Sequence, residues 1–269
     1  YDFMDPMPAL SFLKAEGYCG VQSFEPNGPK AAGLRITGMG STHDPEALDK
    51  IASDQKALGY DCTTLHCGTG FESDDEMARF AEAILTAAEK HDHPLYLETH
   101  RATMTQDIKR TVDLVEKFPE LRFNGDLSHW YTGHELNNAN FERGFSMMQP
   151  VLERVRFIHG RIGNSGSLQV DVRLDDEVEF LDHFRRMWTA CFEGFLKDAK
   201  PGDYLPFNPE ILPAQFTFLT PPLPVNYARM VRQNDGSFAE EGDRWQQALL
   251  YQQIAEDCFT AAQEKLAAA

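Results

Sequence analysis

Four stretches of this sequence end hydrophobic runs in groups that could do chemistry. "LYLETHR" leads into Glu98, His100 and Arg101, "LRFNGDLSHW" into Asp126 and His129, "VRFIHGRIG" into His159 and Arg161, and "YLPFNPE" into Glu210. Charge at the end of a buried strand is costly unless it has a counterion or a task. If these strands are parallel neighbours in a barrel, their C-terminal ends share one face. Glu98, Asp126, His159 and Glu210 then converge although 28, 33 and 51 residues separate them. Three carboxylates gathered in this way repel and shift one another's pKa values unless a cation neutralises them. A divalent metal is the economical cation. Carboxylates with one imidazole and no thiolate favour Mn²⁺, Mg²⁺ or Co²⁺ over a structural zinc, and leave Zn²⁺ possible.

Taken singly, each residue has a plainer reading. Glu98 or Asp126 could form a rim salt bridge. His159, after Phe157-Ile158, could be a hydrogen-bonded core histidine, and Glu210, after Asn208-Pro209, a turn anchor. The conjunction in chain order carries the metal reading. His100 and Arg101 are expected to touch substrate or to form a rim ion pair. His66, in "TTLHCGTG", is expected at the same face, and Trp130 as a sugar-stacking or buried rim aromatic.

The elements that must position these residues alternate between strand-like runs and helical stripes, the pattern of βα units around a parallel sheet. Strands are expected over 20–24, 34–37, 62–67, 95–99, 121–126, 155–160 and 204–210. Helix starts are explicit. Asp44-Pro45-Glu46 places a capping residue before proline, with Leu48, Ile51, Gln55 and Leu58 following, and Ser73-x-x-Glu76 is a capping box ahead of Met77, Phe80, Ala81 and Ile84. Thr103 or Thr105 is expected to cap a helix carrying Ile108, Val112 and Val115. A last long stripe holds Leu181, Phe184, Trp188, Phe192 and Phe195. The fold class is α/β, a (β/α)8 TIM barrel whose first strand is truncated or absent, with Tyr1–Met4 as its tail and a helix opening at Asp5-Pro6. An open doubly wound sheet fits less well, because no G-x-G-x-x-G turn follows a strand.

Residues 1–264 are expected to form a single catalytic domain, with 265–269 a remnant of an expression-tag linker. Net charge of −17 repels phosphate backbones, so no nucleic-acid partner is expected. No apolar run is long enough to span a bilayer, and the chain is expected to be soluble and cytoplasmic. The 5 cysteines lack C-x-x-C spacing and read as reduced thiols.

The order Glu98, Asp126-x-x-His129, His159-x-Arg161, Glu210 resembles the xylose isomerase-like TIM barrels, especially ketose 3-epimerases and related sugar or sugar-phosphate isomerases. The resemblance runs from Met4 to Glu210 and is specific only around these motifs. It implies that Glu98, Asp126, His159 and Glu210 ligate one divalent ion, Mn²⁺ foremost. It also implies that Glu98 and Glu210 move a proton on and off a carbon beside a carbonyl, through a metal-stabilised enediolate, while His129 and Arg161 contact oxygens of a small carbohydrate. Isomerases, epimerases and lyases share that first step. A homodimer or tetramer is implied by analogy. Two segments depart from the pattern. "HGRIGNSGSLQVD" places Gln169 and Asp171 in a substrate-loop position, and the proline-rich run from Ile211 to Gly236 is expected to be a lid or dimer contact. An endonuclease IV-like phosphodiesterase is one alternative, although Asp171-Val172-Arg173 stands where its zinc cluster needs Asp-x-His. A non-catalytic metal- or ligand-binding barrel is another.

Overall fold

The computed structural model describes residues 6–138, 140–217 and 220–268. The expected strand tail at Tyr1–Met4 lies outside them. In chain order the elements are α1 (Met7–Ala15), β1 (Gly20–Gln22), α2 (Asn27–Ala31), β2 (Arg35–Thr42), α3 (Ala47–Ala57), β3 (Thr63–Cys67), α4 (Asp74–His91) and β4 (Leu95–Glu98). They continue with α5 (Ile108–Lys117), β5 (Phe123–Gly125), α6 (Leu127–Gly133), α7 (Phe141–Leu152), β6 (Val155–Gly160), α8 (Glu179–Asp198) and β7 (Phe207–Pro209). Two small hairpins, β8 (Gln215–Phe216) with β9 (Leu223–Pro224) and β10 (Met230–Arg232) with β11 (Phe238–Glu240), precede α9 (Arg244–Ala267). Strands β1 to β7 follow the chain order across one sheet. This is the parallel βα pattern read from the sequence, with seven strands.

The chain divides into two compact units. The first comprises the described part of Tyr1–Glu98 with Ala102–Thr105 and Asp113–Phe123. Its parallel pairs run Gly20↔Arg35, Gly38↔Thr63 and Thr63↔Leu95, and its buried residues include Leu48, Leu65, Phe80, Ile84 and Leu97. The α4 capping box forms as expected, with Ser73 N donating to Glu76 Oε2 at 2.7 Å and Glu76 N to Ser73 Oγ at 3.3 Å. The second unit comprises Thr99–Arg101, Gln106–Val112 and Asn124–Ala269. Here β6 and β7 pair from Ile158↔Phe207 to Gly160↔Pro209, and Leu181, Phe184, Trp188, Phe192 and Phe195 of α8 are all buried.

Several local details differ from the sequence reading. Strand β2 continues to Thr42, beyond the expected 37, because Gly38 and Gly40 give no apolar signal yet pair with β3. Helix α3 begins at Ala47, with Asp44 Oδ1 accepting from Glu46 N in the preceding turn, and Leu58 is exposed rather than core. The cap of α5 is Asp107, whose Oδ1 accepts from Arg110 N at 2.8 Å. Thr105 instead donates to the carbonyl of Glu98. The proline-rich run folds into hairpins, and Lys265–Ala267 continue α9, with Lys265 bonded to Glu193. Among the described residues, no helix is long and apolar enough to cross a membrane.

Candidate metal and substrate site

In the second unit, β5, β6 and β7 deliver their polar residues from the strand ends. Asp126 follows β5 and caps α6, its Oδ1 accepting from Ser128 N at 3.2 Å and from Ser128 Oγ at 2.5 Å. That fixes one carboxylate oxygen and presents the other. Oδ2 faces His129 Nε2 and Arg161 Nη2, each at 3.3 Å. His159 is the last residue but one of β6, its backbone N–H donating to Asn124 Oδ1 at 3.1 Å and its Nδ1 lying 3.3 Å from Glu210 Oε2. Asp126, His159 and Glu210 each offer one ligand-type atom, and these lie within 4.8 Å of one another. Asp126 and His159 are fully buried, and Glu210 is part-buried.

Arg161 is 1 % exposed. Its Nε donates to the Glu210 carbonyl at 3.0 Å and its Nη2 pairs with the Glu210 carboxylate. Gly160 leaves room for the Phe207 ring of the neighbouring strand: a Cβ there would lie 2.2 Å from Phe207 Cζ. Burial alone would raise the pKa of Asp126. The charges of Arg161, His129 and His159, with a hydrogen bond from His129, outweigh it and hold the carboxyl well below the usual carboxylate range. Asp126 is therefore a buried anion at neutral pH. Two carboxylates and an imidazole so close form a donor set that fits a hard or borderline divalent cation.

In the first unit, Glu98 is the last residue of β4, 1 % exposed, and its Oε2 lies 3.0 Å from His66 Nε2. His66 thus meets a carboxylate. The remaining expected residues lie in the second unit. The His100 ring sits 3.8 Å from that of His129, Arg101 is exposed, and Trp130 is 1 % exposed. Gln169 holds the chain beyond Glu210: its side-chain amide donates to the Leu212 carbonyl and accepts from Leu212 N, both at 3.0 Å. All five cysteines are free, and burial raises the Cys62 and Cys67 thiols to about 12, so neither is an activated nucleophile.

Three contributors escaped the sequence reading. Ser128 and Asn124 brace Asp126 and His159, and both stand in the quoted motif "LRFNGDLSHW", where a short polar residue beside a charged one is the only signal. Tyr227 carries the Arg161 guanidinium 4.5 Å from its ring centre. It comes from the run after Glu210, where no spacing marks it.

No protein-family profile and no curated protein sequence matches the chain. Solved structures do. A sugar phosphate isomerase/epimerase from Parabacteroides distasonis ATCC 8503 is similar at 14 % identity and a TM-score of 0.50, over 78 % of this chain and 86 % of that one. The probable 3-DHS dehydratase AsbF involved in petrobactin synthesis from Bacillus anthracis matches at 16 % identity and 0.46, over 77 % and 87 %. Endonuclease IV from Thermus thermophilus matches at 16 % and 0.44, over 75 % and 86 %. At such identities the likeness concerns the fold alone, and that to the isomerase/epimerase structure agrees with the strand order described above. The chain has a TIM-barrel fold.

Proposed function

We propose that this protein is a divalent-metal-dependent isomerase or epimerase, or a lyase with the same first step, acting on a small carbohydrate or keto sugar. The observation that carries the reading is the cluster of buried Asp126 and His159 with part-buried Glu210, whose ligand-type atoms lie within 4.8 Å of one another. Glu98, a buried carboxylate at the end of β4, is the proposed fourth ligand on the family resemblance. Mn²⁺ suits an oxygen-rich set with one imidazole, and Mg²⁺, Co²⁺ or Zn²⁺ could replace it. When bound, the ion would supply Lewis-acid stabilisation of charge developing on a carbonyl oxygen.

The rest falls to the chain itself. Glu98 and Glu210 are proposed to take a proton from the carbon beside the carbonyl and to return one, with different partners setting each carboxylate: His66 for Glu98, and Arg161 with His159 for Glu210. His129 and Arg161 would orient substrate oxygens, with His66, His100, Arg101 and Trp130 around them. Ser128 would keep Asp126 from rotating. An oligomer, dimer or tetramer, is proposed on the family resemblance alone.

The test is elemental mass spectrometry on protein purified without added metal or chelator, followed by deuterium uptake from D₂O by a panel of keto sugars. A single Mn, Mg, Co or Zn per chain with exchange into substrate is expected. Glu98→Gln should abolish that exchange while leaving the protein folded by circular dichroism. Three zincs per chain, or exchange undiminished in Glu98→Gln, would overturn the reading, the first in favour of phosphodiester cleavage.

A further inference from the structure

The run after Glu210 holds one side chain in a fixed place. Val225 N and Asn226 N both donate to the Ala214 carbonyl at 3.0 Å, and Asn226 takes a left-handed φ of 55°, a conformation that asparagine tolerates better than most residues. Ala214 N is itself held by Glu240 Oε1 at 3.0 Å. Beyond the turn, Ala228 is buried and Arg229 pairs with Glu241. Tyr227 is therefore pinned on both sides. Its ring has two guanidinium neighbours, Arg161 at 4.5 Å and Arg101 at 5.3 Å from the centroid.

The two cations differ in what else they touch. Arg161 is engaged with Asp126 and Glu210. Arg101 has no carboxylate within ion-pair distance among the described residues, in a chain with 42 acidic and 25 basic side chains. Beside it in sequence, the His100 ring lies 3.8 Å from that of His129 at a tilt of 49°, and His129 Nδ1 is buried with no hydrogen-bond partner among the described residues. An exposed guanidinium oriented by a fixed phenol ring offers a planar fork of donors, matched to a carboxylate or phosphate rather than to a lone hydroxyl.

We propose that Arg101, oriented by Tyr227, binds an anionic group of the substrate, so that the protein acts on an acidic sugar derivative, a sugar acid or sugar phosphate, rather than a neutral sugar. Arg101 makes the contact, and Tyr227 is a positioning residue. This deepens the reading above and rests on it for the sugar, while the anion preference can be measured separately.

Three ligands with the same six-carbon chain separate the cases: sorbitol, gluconate and sorbitol 6-phosphate, titrated calorimetrically into Mn²⁺-loaded and into metal-free protein. At least one acid is expected to bind tenfold or more tighter than sorbitol, and which one does identifies the group. Arg101→Gln should erase that preference while leaving metal content unchanged. Tyr227→Phe, which keeps the ring, should retain it, and Tyr227→Leu should lose most of it. No preference in the wild type, an equal preference in Arg101→Gln, or no binding of either acid would overturn the proposal. A missing metal would show in the elemental analysis instead, and would count against the metal reading while the metal-free titrations still decide the anion preference.

Discussion

Two buried histidines of the second unit, His159 and His183, sit in opposite kinds of company. His183 lies flat on Phe141, with ring centres 3.5 Å apart, and its Nδ1 meets the Tyr131 hydroxyl at 2.7 Å. Burial pushes its pKa down, with the charge of Glu179 only partly opposing. His159 is equally buried but faces the Glu210 carboxylate, with Asp126 and Arg161 beside it. In the first unit, His93 repeats the quiet arrangement, its Nε2 bonded to Thr63 Oγ1 at 2.8 Å. A histidine that serves packing bonds to a neutral hydroxyl, with at most an exposed carboxylate at its edge, as Glu179 lies 3.5 Å from His183 Nε2, and burial biases it toward the neutral form. One set among carboxylates that themselves need neutralising marks a place where the fold has accepted desolvated charge.

The comparison breaks most visibly at Arg161, the cation that spans Asp126 and Glu210. Arg161→Met should destabilise chelator-treated protein by about 3–5 kcal/mol, the usual cost of stripping one partner from a buried ion pair. The loss should shrink when Mn²⁺ is present, because a cation bound to the folded state stabilises it by mass action. Urea denaturation with and without Mn²⁺ reads both numbers, and equal losses would mean that metal and guanidinium do not share these carboxylates. Next comes the direct contrast of the histidines. His159→Gln should weaken metal binding by more than the roughly 10–100-fold that follows loss of a ligand's supporting partner. His183→Gln should leave metal binding unchanged and cost about 1 kcal/mol for the bond to Tyr131. Metal titrations on both variants would break the contrast if His183→Gln also lost metal.

A pH titration sharpens it from the neutral side. Burial depresses the pKa of His93 from 6.5 to about 4, so the unfolded chain takes up its proton first as pH falls. Stability from this group is complete above about pH 6.5, drains away as pH drops toward 4, and changes no further below. The total is about 3–4 kcal/mol at roughly 1.4 kcal/mol per pKa unit. His93→Gln should flatten that part of the denaturation profile, and an unchanged slope would mean that His93 is not held neutral.

These contrasts also show what the sequence could disclose. Strands β1 to β7 were legible because short apolar stretches recur between turn residues, and the strand-end ionisable groups because charge interrupts that pattern abruptly in "LYLETHR" and "VRFIHGRIG". The expected Asp126, His159 and Glu210 do meet, as parallel neighbours must. What stayed hidden depends on contacts far apart in sequence. Arg161 reads as a ligand-facing residue in the motif, but its bond to Glu210 spans 49 residues. Tyr227 owes its place to a turn closed on Ala214, in a run whose prolines signal only irregular chain. Helix α7 went unread because Pro150 lies inside it.

The smallest effect comes from the feature that sequence disclosed best, and it serves as the control. Ser73 caps α4 through a reciprocal pair of bonds with Glu76, in a first turn that also carries Asp74 and Asp75. The cap satisfies backbone N–H groups that α4 leaves open at its start, and the acidic turn complements the positive end of the helix dipole. Ser73→Ala removes the hydroxyl acceptor, while the backbone N–H of residue 73 can still reach Glu76. About 1 kcal/mol should be lost, visible as a lower denaturation midpoint at unchanged slope. Because Ser73 and Glu76 are exposed and none of their described contacts is a proposed ligand, metal affinity should not move. A loss of metal affinity in Ser73→Ala would mean that binding simply follows global stability, and the losses in His159→Gln could then no longer be assigned to a missing ligand.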